Sequence, residues 1–69
     1  MRTSARNQLA GTVTAVTIGA VMAEVVVDVN GQPIVAAITR DSAERLGLKT
    51  GAAVTVIVKA TDVMIGVDG

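Results

Sequence analysis

Ala23-Glu24-Val25-Val26-Val27-Asp28-Val29, then Asn30-Gly31, then Pro33-Ile34-Val35-Ala36-Ala37-Ile38, is the stretch that decides the fold. Its first arm alternates, with Val25, Val27 and Val29 on one face and Glu24, Val26 and Asp28 on the other. That period of two marks a half-buried strand. Asn30-Gly31 between two apolar runs is the strongest short-range hairpin signal, because both residues tolerate the positive φ of a type I′ turn. Pro33 opens the return strand, where its missing N–H costs least. The stretch therefore reads as a β-hairpin.

Working outward, Leu9 to Ile18 is a Thr- and Val-rich strand in which Val13 and Ala15 alternate with Thr12 and Thr14. Val16 then follows Ala15 directly, a slip of phase that predicts a bulge where the strand bends. Beyond the hairpin, Asp41-Ser42-Ala43-Glu44 resembles a capping box opening a short helix, Gly47 is placed to end it, and Lys49-Thr50-Gly51 makes a turn. Val54 to Val58 is a fourth strand, Thr61-Asp62 breaks the run, and Val63 to Val67 is expected as a fifth. Five short strands with one short helix between strands 3 and 4 predict an all-β fold, a small five-stranded OB-type Greek-key barrel. Residues 1–69 form a single domain with no repeat or linker.

Composition narrows the function. A chain of 69 residues buries only about 60% of the surface it exposes when unfolded. This one is 51% hydrophobic, only 17% charged and has no Phe, Tyr or Trp. That is more apolar surface than a lone domain of this size hides, so part of it is expected to face other subunits. Six basic and six acidic side chains cancel, leaving no long-range field for nucleic acid or an anionic membrane. Without Cys or His there is no disulfide and no common transition-metal site, and the carboxylates are scattered. No apolar run approaches the ~20 residues that span a bilayer, and no secretory signal is recognised. The chain reads as soluble and cytoplasmic.

Three segments can supply donors and positive charge to an anion. Ser4-Ala5-Arg6-Asn7 reads on composition as a solvated polar tail. Thr39 and Ser42 flank the helix start and read as caps, although orphan N–H groups and the helix dipole there also favour an anion. Lys59 ends an apolar strand, as an edge gatekeeper or as a ligand.

Taken together, Thr3-Ser4-Ala5-Arg6-Asn7-Gln8-Leu9, Ala37-Ile38-Thr39 before Ser42, Leu46-Gly47-Leu48 with Gly51, and Lys59-Ala60 resemble the molybdate-binding Mop domain from about Thr3 to Val67. The resemblance implies an oxyanion site made by Ser4, Ala5, Arg6, Thr39, Ser42, Lys59 and Ala60. Molybdate is a tetrahedral dianion without protons at neutral pH, so it needs donors only. Tungstate, nearly the same size, is expected to bind as well.

The resemblance further implies a homohexamer built as a trimer of dimers. In it, Ser4 and Arg6 of one chain meet Thr39, Ser42 and Lys59 of its partner. It implies intracellular molybdenum storage or homeostasis, with no enzyme activity and no cofactor beyond the bound oxyanion. An OB-fold nucleic-acid module is the alternative, weakened by the absence of aromatic stacking residues and of net positive charge. A Ser-Lys enzyme pairing Ser4 or Ser42 with Lys59 lacks any supporting motif.

Overall fold

In the computed structural model, which describes residues Met1–Gly69, Asn30 and Gly31 both take positive φ, 50° and 87°. They join β2 (Met22–Val29) to β3 (Gln32–Thr39), paired antiparallel from Val29↔Gln32 to Met22↔Thr39. β1 (Asn7–Ile18) lies on the other side of β2, and β4 (Ala53–Val58) pairs with the first half of β1. The result is one four-stranded antiparallel sheet in the order β3-β2-β1-β4. Pro33 falls on the edge strand β3, where an absent N–H breaks no ladder.

The bulge lies one residue earlier than the phase slip suggests. The register shifts between Val13 and Ala15, so Thr14 is the extra residue, and its Oγ1 donates to Val26 O (3.3 Å). Inserting one residue reverses the face presented by all that follow. Val13 and Val16 thus both turn inward although three positions apart. Val13, Val25 and Val27 form the buried cluster, with Val16, Ile38, Leu48 and Val54 among the residues against it. Gly11 is required nearby: a Cβ there would lie 2.6 Å from both Asp28 O and Val27 Cγ1.

Helix α1 (Arg40–Arg45) starts earlier than the expected capping box. Thr39 is the N-cap and its side chain accepts from Ser42 N–H, so Asp41 lies inside the helix and does not cap it. The C-terminus follows expectation. Gly47 (φ 64°) donates its N–H to Glu44 O (3.0 Å) while Leu48 N–H donates to Ala43 O (3.1 Å), the paired bonds of a Schellman motif. The expected turn at Lys49-Thr50-Gly51 closes through Ala52 N–H to Lys49 O (3.0 Å).

The fifth strand expected at Val63–Val67 does not form. A single 3-10 turn, Ala60–Asp62, held by Asp62 N–H to Lys59 O (2.9 Å) and Val63 N–H to Ala60 O (3.3 Å), ends the ladder. Neither edge of the sheet receives the residues beyond it. Met64, Ile65 and Val67 are 91%, 88% and 89% exposed. The sheet stays open as a result. An apolar groove of about 250 Å³ is lined by Ala36 and Ile38 of β3 and Val54 and Val56 of β4. No helix is long and apolar enough to cross a membrane.

Candidate functional site

Antiparallel pairing of Asn7 with Val58 sets the residues just before β1 beside those just after β4. Ser4, Ala5 and Arg6 consequently line one cavity with Lys59 and Ala60, about 750 Å³ in volume and open to solvent. The N-terminal segment is tied down locally. Ala5 N–H donates to Thr3 Oγ1 (3.2 Å) and Gln8 Nε2 donates to Ala5 O (2.7 Å), so polar side chains brace the bend before the strand. The molecule's one ion pair joins Arg40 to Glu44 (2.9 Å). Neither Arg6 nor Lys59 makes an ion pair, and against the single carboxylate of Asp62 they leave the cavity one net positive charge, which favours an anion there.

Thr39 and Ser42 are not among the residues of that cavity. They sit where β3 meets α1, and β3 is the sheet edge opposite β4. Five of the seven expected residues thus come together within one chain and two stand apart. The division differs from the expected one, in which Lys59 joined Thr39 and Ser42. β-sheet pairing places Lys59 with Arg6 instead, because β4 runs antiparallel to β1 and ends where β1 begins.

At the second locus, Thr39 Oγ1 accepts from Ser42 N–H (3.1 Å) and donates to Ser42 Oγ (2.8 Å). The cap and the ligand readings of these hydroxyls are compatible, since a hydroxyl carries one donor and two acceptor positions.

Asn7, already part of the N-terminal donor segment in the sequence, also lines the cavity, as do Thr61 and Asp62, which the sequence marked only as a break between strands. Their signal was adjacency to Arg6 and Ala60, which strand pairing makes spatial. Asp62 brings a carboxylate to a cavity expected to hold donors only. Arg45 was missed too: its Nη2 reaches Ser42 Oγ at 3.4 Å. The i, i+3 spacing on α1 could have revealed it. No cluster of three or more His, Cys, Asp or Glu that could hold a metal ion is present.

The fold is that of a small all-β domain with one short helix, and relatives of that class are evident. Residues 3–65 match the model of the TOBE domain. The chain is 52% identical over 66 residues to molybdenum-pterin-binding protein 2 of Clostridium pasteurianum, covering 94% of this chain and 97% of that one. A molybdate-binding protein from Sporomusa ovata superimposes with a TM-score of 0.90 at 46% identity, over 94% of this chain and 97% of the other. ModG, a cytoplasmic molybdate-binding protein, superimposes with a TM-score of 0.91 at 42% identity, over 99% of this chain and 49% of ModG. The chain belongs to the TOBE domain family, in its Mop-type branch, in agreement with the motifs at its two ends.

Proposed function

We propose that this chain binds molybdate, and tungstate with it, without catalysis, at sites shared between subunits of a cytoplasmic homo-oligomer that stores or buffers molybdenum. The observation that carries the reading is the cavity at which Ser4, Ala5, Arg6, Lys59 and Ala60 meet with two unpaired cations. Relatives named for molybdate or molybdenum-pterin binding support it. Of those ligands the oxyanion fits this chain better, because no aromatic residue is available to stack on a pterin ring.

Thr39 and Ser42 lie off the cavity, so a complete site takes Ser4, Arg6, Lys59 and Ala60 from one chain and the two hydroxyls from another. The open sheet supports an assembly. Val63–Val67 is apolar and exposed, while the groove between β3 and β4 is apolar and unfilled by its own chain. Inserting a second copy's segment there completes the five-stranded barrel and covers both free edges at once. A trimer of such dimers is the hexamer that the family resemblance implies.

The test is a thermal melt with molybdate or sulfate at equal concentration, paired with elemental analysis of protein from molybdate-supplemented cells. A ligand bound only by the native assembly adds about 2.7 kcal/mol at a hundredfold excess over Kd. Sulfate should give much less. Equal stabilisation by the two would reduce the cavity to a generic anion site, and absence of molybdenum and tungsten from the purified protein would remove the storage role.

A further inference from the structure

A local turn carries a carboxylate into the cation cavity. After β4 the backbone folds back through Asp62 N–H to Lys59 O (2.9 Å), the i to i+3 bond of the 3-10 turn Ala60–Asp62. In such a turn residues three apart fall on the same side. Asp62 therefore returns to the strand end that Lys59 occupies, and it is the only carboxylate among the residues that line the cavity with Ser4, Arg6 and Lys59.

Its acceptor positions are unspent. Glu44 is committed to Arg40 (2.9 Å) and Asp28 to Gly31 N–H (3.4 Å), whereas the Asp62 side chain makes no hydrogen bond and no ion pair with either cation of the cavity. An ionised carboxylate only accepts hydrogen bonds, and an ammonium or guanidinium only donates them. The cavity thus offers free donors on Arg6 and Lys59 and, apart from them, a free charged acceptor. Molybdate, whose oxygens all accept, has no use for that acceptor. An oxyanion that carries a proton does, because the P–OH of hydrogenphosphate donates to a carboxylate while its other oxygens take the cations.

We infer that Asp62 is a specificity-determining residue of this site, admitting proton-bearing oxyanions such as hydrogenphosphate and holding down the affinity for proton-free dianions such as molybdate and sulfate. The inference rests on the proposed reading of the cavity as an oxyanion site. Hydrogenphosphate, molybdate and sulfate all carry two negative charges, so the repulsion exerted by Asp62 weighs on the three alike. Only hydrogenphosphate offsets it with a hydrogen bond. The hydroxyls of Thr39 and Ser42 also offer acceptor positions. They are the same with or without the Asp62 carboxylate, so they cancel from a comparison of the two proteins.

The experiment measures Kd for molybdate, sulfate and inorganic phosphate by calorimetry on the assembled parent, Asp62→Asn and Asp62→Ala, at a mildly alkaline pH where phosphate is the hydrogenphosphate dianion. Melting curves establish that the variants fold, which the exposure of Asp62 favours. Molybdate and sulfate should each bind several-fold tighter to both variants, since one unit of repulsion has gone. Phosphate gains the same relief but loses its charged acceptor, so its constant relative to molybdate should worsen roughly tenfold. The loss should be larger in Asp62→Ala, because Asn keeps a neutral carbonyl acceptor. Phosphate tightening by the same factor as molybdate would show that Asp62 acts through charge alone, and three unchanged constants would show that its carboxylate does not meet the anion. A parent that binds molybdate and sulfate but no phosphate would show that the site does not admit the proton. Each of these results overturns the inference and leaves the site reading standing. A parent that binds none of the three anions overturns the site reading itself, and the inference with it.

Discussion

Ile65 gives the sharpest test of the shared architecture. It is 88% exposed in the single chain, so in a monomer Ile65→Ala removes no buried contact and leaves stability within about 0.5 kcal/mol. In the proposed exchanged assembly the side chain would be buried in its partner's groove. Replacing Ile by Ala deletes three carbon atoms, each worth about 0.8 kcal/mol when buried, or about 2.4 kcal/mol per tail. Reciprocal exchange between two copies places two tails in each pair, so the dimer loses about 5 kcal/mol. At about 1.4 kcal/mol per tenfold, its dissociation constant rises by roughly three orders of magnitude. Sedimentation velocity over a concentration series, with circular dichroism at each point, separates dissociation from unfolding. Parent and variant dissociating at the same concentration would refute both the exchange and the count of buried carbons.

Arg6→Ala and Lys59→Ala should each remove tight molybdate binding in calorimetry while keeping the β-sheet spectrum, since each withdraws a charged hydrogen bond worth about 1.5–3 kcal/mol; parental affinity in either variant shows that its cation faces solvent only. Mixed oligomers of an Arg6→Ala chain and a Ser42→Ala chain should recover about a quarter of the sites under random pairing. A mixture of Arg6→Ala with Lys59→Ala should recover none, because those residues line one chain's cavity, and recovery in the second mixture would restore the other division of the site. Gly47→Val, which forces a β-branched side chain to φ 64°, should lower stability by about 1–3 kcal/mol in chemical denaturation, and an unchanged midpoint would show that the Schellman turn relaxes at no cost.

Local rules were legible in the sequence wherever local chemistry decides structure. Asn30-Gly31 specified its turn through backbone freedom, Val25 and Val27 their inward face through alternation, and Gly47 the end of α1 through its left-handed φ. The bulge was foreseen in kind and misplaced by a residue, and of the two caps the sequence offered, the Thr39 hydroxyl and the Asp41 box, only the first forms. Thr14 and not Ala15 is extra, and Thr39 and not Asp41 caps, because competing local hydrogen bonds of similar strength are resolved by how the strand and helix pack.

Composition also carried a message that no local rule could contain: too much apolar surface for one small domain. The tertiary structure decided where that surface lies. Val63–Val67 has every local mark of a strand, yet a strand exists only when another strand accepts its N–H and C=O groups, and within the chain the segment pairs with neither free edge, β3 or β4. The candidate site divides along the same line. The motif residues Ser4, Arg6, Lys59 and Ala60 could be named from the sequence. That Arg6 and Lys59 share a cavity, and that Arg45 reaches Ser42, follows from the β1–β4 register and the pitch of α1. Non-local pairing sets those distances, and sequence order does not encode them.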